Sequence, residues 1–150
     1  MRILSLVLVV GMLSACAGGP ASPSLDAEAK QFLAPADKAC IYVVPSVSPV
    51  DISMDGRTIG KLDVQHYFRV EAAPGRHVLT VAGARGVPPH IIIVQPRDDV
   101  TVEAEAGRCY FLRTAWRFTP AEWQQYRVYW ERLTEEDGQA AVNVLWLAQP

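Results

Sequence analysis

From Cys40 onward the apolar residues return at every second position, in runs too short for a helix face and stopped by Pro, Asp or Gly. "ACIYVVP" is β-branched and aromatic and ends at Pro45. "VDISMDG" sets Val50, Ile52 and Met54 against Asp51, Ser53 and Asp55, the alternation of a half-buried strand. Asp55-Gly56 is a hairpin signal, because both central positions of a type I′ turn need positive φ. "RTIGKL" returns and "YFRVEA" comes next; Pro74-Gly75 is expected to make a tight reversal into "RHVLTVAG". "HIIIVQ", "VTVEAEAG" and "RCYFLRTAW" complete the series. Short strands with turns between them and no long intervening helix predict a mainly β chain, an antiparallel sandwich or barrel. Of the two, a sandwich with one or two short helices is expected.

The N-terminus obeys another rule. "MRILSLVLVVGMLSAC" has one positive charge, Arg2, then a mostly apolar run from Ile3 to Ala15. That run is too short to span a bilayer and has the layout of a secretory signal. Leu13-Ser14-Ala15-Cys16 resembles the lipobox of bacterial lipoproteins, although Ala15-Cys16-Ala17 also fits plain secretory cleavage. The lipobox resemblance implies cleavage before Cys16, diacylglycerol on its thiol and a palmitate-type acyl group on its nitrogen. Ala17 in place of Asp favours, in a two-membrane bacterium, the outer membrane facing the periplasm. The expected layout is a lipoprotein signal peptide at 1–15, an anchor and tether at 16–37 and a sandwich at 38–150. Within the tether, Gly18, Gly19, Pro20, Ser22 and Pro23 are spacer-like, and Ser24 is expected to cap a brief helix over Leu25 to Leu33.

"AKQFLAPADKACIYVVP", "VDISMDGRTIGKL", "YFRVEAAPGRHVLTV" and "VEAEAGRCYFLRT" together resemble an uncharacterised family of bacterial lipoproteins with a domain of unknown function. The matching positions are Tyr42, Asp55, Gly56, Gly60, Tyr67, Phe68, Pro74, Gly75, His77, Gly107, Tyr110 and Leu112, spread from Ala29 to Thr114. The chain is also similar to PEGA-type surface repeats, so the implied sandwich is PEGA-like or immunoglobulin-like. The resemblance implies an envelope lipoprotein and supplies no catalytic residue. Cys109 departs from it, standing where the family more often has a polar side chain.

With Cys16 lipidated, Cys40 and Cys109 remain as an even pair in an oxidising compartment. If Ile41 and Val43 face the core, Cys40 faces away; if Tyr110 and Leu112 do, so does Cys109. A disulfide is then allowed, provided the two strands are neighbours.

The last third mixes signals. Thr119-Pro120-Ala121-Glu122 predicts a helical turn through Gln125. "YRVYWERL" reads as a strand, Thr134 with Glu135, Glu136 and Asp137 as a helix start, and "AVNVLWLA" as a closing strand. Trp116, Trp123, Tyr126, Tyr129 and Trp130 interleave with Arg113, Arg117, Arg127 and Arg132. Such a mixture either stacks on a sugar or base or fills the open end of a sheet under Arg stems. Trp116, Trp130 and Tyr129 are the candidates for a binding surface.

Half the residues are hydrophobic, a fifth are charged and the formal charge is −2, which argues against nucleic acid as a partner. His66, His77 and His90 lie in different segments with no i, i+4 pair, so no metal and no cofactor is expected. The chain has no G-x-S-x-G, H-E-x-x-H or C-x-x-C; Glu103 with Glu105 and Asp51 with Asp55 read as solvated carboxylates. The expected function is a non-enzymatic, lipid-anchored envelope module. It meets the membrane through acyl chains on Cys16 and meets an envelope protein or cell-wall glycan. A glycan or small-ligand module using the aromatic segment is the alternative.

Overall fold

A computed structural model describes residues 20–46, 49–82, 92–95, 97–119 and 125–149. The leader expected at 1–15 and Cys16 lie outside the described residues, as do positions 120–124 of the helical turn expected from Thr119 through Gln125, whose two end residues are strand. In chain order the elements are α1 (Pro23–Ala29), β1 (Ala39–Val44), β2 (Val50–Met54), β3 (Arg57–Leu62), β4 (His66–Ala72) and β5 (Gly75–Ala82). After these come β6 (Ile92–Gln95), β7 (Arg97–Ala104), β8 (Cys109–Thr119), β9 (Gln125–Arg132), α2 (Glu135–Asn143) and β10 (Trp146–Leu147).

The strands form two sheets, in the orders β10-β4-β1-β8-β9-β6 and β3-β2-β5-β7. Ile41, Val43, Phe68 and Leu112 from the first meet Ile52, Leu62, Leu79, Val81 and Val102 from the second in one apolar layer. The chain is therefore mainly β and sandwich-like. The first sheet is mixed rather than antiparallel, since β1–β8, β4–β10 and β6–β9 run parallel. Parallel neighbours need a long crossover. Between β1 and β8 that crossover comprises β4, β6 and the whole second sheet.

Every residue of β1 is buried, which a half-solvated strand would not show. Ile41 and Val43 face the second sheet. Cys40, Tyr42 and Val44 point the other way, yet they too are covered. Phe32 and Val142 close over them in a second cluster with Tyr67 and Phe111. The first sheet is thus a middle layer between the second sheet and a cap built from α1, α2 and the chain after α1.

Cys40 and Cys109 sit opposite each other in the β1–β8 ladder, Cα atoms 4.5 Å apart, and their sulfurs are bonded. The bridge spans 69 positions of chain, worth about 4 kcal/mol if it acts by restricting the unfolded ensemble.

Local departures from the expected elements have local causes. Ser22, not Ser24, caps α1, its Oγ accepting from the Leu25 amide at 3.4 Å. Pro23 sits in the first turn, where a missing N–H is harmless. The helix stops at Ala29 and Phe32 turns to φ 57°, placing its ring 5.5 Å from Tyr42 and 5.9 Å from Phe111. Pro74-Gly75 does not join paired strands: β4 belongs to the first sheet and β5 to the second, so the turn is a corner between layers. "AVNVLWLA" is not one strand. Ala140 to Asn143 finish α2, capped by Thr134, and only Trp146–Leu147 pairs with β4. Val142 needs helical geometry to reach the second cluster, and an apolar run of that length does not distinguish the two periods.

Among the described residues no helix is long and apolar enough to cross a membrane.

Candidate functional site

Three groups of side chains are candidates for chemistry, and each is placed by a different pair of elements. The first is the Asp55–His77 pair. Asp55 and Gly56 both have positive φ, 51° and 77°, as a two-residue hairpin between β2 and β3 demands. The turn throws the Asp55 carboxylate onto β5. One oxygen accepts from the Val78 amide at 2.9 Å and the other lies 2.7 Å from His77 Nδ1. His77 Nε2 lies 2.8 Å from the Ala73 carbonyl oxygen. With a carboxylate on one side and a carbonyl on the other, both ring nitrogens must carry protons to be satisfied. The Asp55 hydrogen bond and the Ala73 carbonyl accordingly raise the His77 pKa, and the His77 hydrogen bond and Val78 amide lower that of Asp55. The pair ties the hairpin to the intersheet corner and leaves neither nitrogen available as a base.

The second is the aromatic set. In the β8–β9 ladder Thr114 faces Trp130 and Trp116 faces Val128, so both tryptophans share the face of buried Leu112 and Val128. Both are half-buried against the intersheet core. The Trp130 amide donates to Asp98 Oδ2 at 3.0 Å, and its Nε1 donates to the Asp98 carbonyl oxygen at 3.1 Å. The Arg132 guanidinium donates to the Thr101 carbonyl oxygen beside it. Through these contacts β9 of the first sheet is fastened to β7 of the second. Tyr129 lies opposite Ala115 on the other face, so the three aromatics make no common platform. The side chains of Trp123, Tyr126, Arg117 and Arg127 lie outside the described residues.

The third group belongs to no sequence motif. Asp26, 6% exposed, projects from α1 toward β4 and β10. It accepts from Lys30 Nζ at 2.8 Å, from the Leu147 amide at 2.8 Å and from the Tyr67 hydroxyl at 3.1 Å. Burial pushes its carboxyl pKa up, but Lys30, the Leu147 amide and Tyr67 outweigh that and hold it below the ordinary carboxylate range. Burial and the neighbouring Asp26 charge push the Tyr67 phenol far up, so it stays a neutral donor. Lys30 also donates to the Leu145 carbonyl oxygen at 2.7 Å and lies over the Trp146 ring, 5.4 Å from its centre. The Ala21 amide donates to the Leu147 carbonyl oxygen at 2.9 Å, and Pro20 bridges Ala148. The second half of the expected tether is therefore part of the folded body. The one signal in the sequence is the Asp26–Lys30 spacing, which puts acid and base on one helix face.

Among the described residues no three His, Cys, Asp or Glu converge as a metal site, and His90 lies outside them. Glu105 pairs with Arg108 at 3.1 Å and Arg113 with Glu131 at 3.4 Å, both on the surface. No family model, curated protein or solved structure matches the chain.

Proposed function

We propose that the chain is a lipoprotein of the bacterial cell envelope, a non-enzymatic interaction or structural module held by acyl chains on Cys16. Leu13-Ser14-Ala15-Cys16 at the end of a short apolar run is the observation that carries this reading. Several buried acyl chains, at about 0.8 kcal/mol per methylene, give an attachment that is very long-lived. The chain from Pro20 onward is in keeping with it. By Pro20 and Ala21 the chain is already bonded into the sandwich, and the Asp26 cluster secures it further. An anchor at Cys16 is thereby only four positions from a folded body. The outer membrane, facing the periplasm, is the location that Ala17 favours.

The non-enzymatic part rests on how the polar groups are used. His77, Asp55 and Asp26 each have their hydrogen-bonding atoms engaged by backbone or by neighbouring side chains of the fold. The body belongs, on this reading, with PEGA-like sandwiches that present a surface to an envelope protein or to cell-wall glycan.

Metabolic labelling with an alkyne fatty acid tests the attachment. The intact chain is expected to take up the probe and a Cys16→Ser chain to take up none. Equal absence of label from both overturns the proposal.

A further inference from the structure

Five large apolar side chains are exposed among the described residues, and three of them lie on two stretches of chain that meet where β10 pairs with the start of β4. Trp146 is 55% exposed, Val144 81% and Val64 45%. The Trp146 amide donates to the carbonyl oxygen of Gln65, the residue after Val64, and Val144 stands two positions before Trp146. Lys30 lies over the Trp146 ring with its ammonium group. An exposed tryptophan with aliphatic neighbours is the composition of a membrane–water interface, where the indole sits among headgroups. The Lys30 ammonium, held by Asp26 and the Leu145 carbonyl, braces the ring.

The chain's own geometry says which surface is within reach. From Cys16 to Pro20 there are four residue steps, about 14 Å when fully extended. Pro20 is bridged to Ala148, and Trp146 lies two residues from Ala148, about 7 Å along β10. A bilayer that holds Cys16 cannot be far from Trp146. We infer that the Val64–Val144–Trp146 end docks onto the lipid headgroup surface in which Cys16 is anchored. The domain is held in one orientation on its membrane. This rests on the acylation of Cys16 proposed above.

The test uses the full-length chain extracted from membranes, its acyl mass measured, and reconstituted into phosphatidylethanolamine–phosphatidylglycerol vesicles. Tryptophan emission is compared with and without lipids brominated near the glycerol end of their tails. The acylated wild-type chain is expected to lose a larger share of its emission than Trp146→Phe. A Val64→Asp/Val144→Asp chain, changed only at exposed positions, is expected to lose that extra quenching while keeping its circular dichroism. Equal quenching of wild type and Trp146→Phe, in chains that do carry the acyl mass, overturns the docking and leaves the anchor standing. A chain without acyl mass overturns both. Shielding of Trp146 from aqueous acrylamide without any response to brominated lipid places a second copy of the chain on this end, and overturns the docking as well.

Discussion

Replacing Asp26 by Ala removes one carboxylate and strands two donors, one buried and one part-buried. The Leu147 amide and the hydroxyl of fully buried Tyr67 lose their acceptor, whereas Lys30 keeps the Leu145 carbonyl and some contact with water. A stranded buried donor costs about 1–3 kcal/mol, and breaking a buried ion pair about 3–5 kcal/mol. Water entering beside Lys30 relieves part of this, so about 3 kcal/mol is the working figure. The loss falls on α1 and β10, which meet the rest of the domain through few bonds, and they open before the sheets do. Amide exchange reads this directly. Protection at the Ala21 and Leu147 amides is expected to drop on the order of a hundredfold, the equivalent of that free energy. Amides of buried β1 should stay near wild type. The wild-type chain supplies an internal control. Because the folded Asp26 pKa lies below the ordinary 3.8, its contribution is complete above that pH and disappears as the pH falls through the folded value. Acid should therefore loosen the wild-type clamp and leave Asp26→Ala unchanged, once intrinsic exchange rates are divided out. Protection at Leu147 within a few-fold of wild type in the variant would refute the clamp.

Gly138→Ala is expected to destabilise, against the usual sign. On an open helix the exchange gains about 1 kcal/mol. Here a Cβ would stand 2.2–2.5 Å from three Phe111 atoms, and overpacking of that kind costs about 1–3 kcal/mol. A urea midpoint at or above wild type would show that α2 does not press on Phe111. The His77 pair predicts a pH dependence: its folded pKa is raised above 6.5, so its contribution is complete below that value and fades as the pH rises through the folded one. The melting temperatures of wild type and His77→Phe should draw together as the pH rises above 6.5, and a constant gap there would mean that folding does not raise the His77 pKa.

Local chemistry is legible wherever one peptide decides the outcome. Asp55-Gly56 has to turn because two consecutive positive φ values leave few other solutions, and Thr134 has to cap because its side chain reaches the Asp137 amide. Pairing is not legible. Pro74-Gly75 reads the same whether the next strand lies alongside or in another layer, and nothing in "ACIYVVP" says that its neighbour will be parallel β8. Parity does put Cys40 and Cys109 on a common side, but it assigns only a face. That this face is buried depends on Phe32, which an irregular turn brings back over β1, and on Val142, far along the chain. The same limit applies to Trp116 and Trp130. Alternation cannot tell an aromatic that closes a seam from one that meets a ligand. For Trp130 the Asp98 contacts decide it, and they come from a strand in the other sheet. Asp26 is hidden from local reading because its partners are supplied by β4 and β10, 41 and 121 positions away.

The proposed membrane contact is small, and its size defines what it can do. Fully burying a valine side chain contributes about 1.5–3 kcal/mol, and only part of Val64, Val144 and Trp146 can enter an interface at once. Free in solution, such a patch would hold a domain on lipid weakly, since even a single myristoyl chain gives only marginal, reversible binding. Attached through Cys16 it has a different task. The acyl chains already set the distance, and the short link keeps the patch at high effective concentration beside the surface. The contact then needs only to outweigh the rotational freedom of a tethered body. The patch orients while the acyl chains hold, and the two roles separate under mutation. Val64→Asp/Val144→Asp should leave the protein fully membrane-bound while its Trp146 environment becomes aqueous. Loss of the protein from the membrane would mean that the patch, not Cys16, had been the anchor.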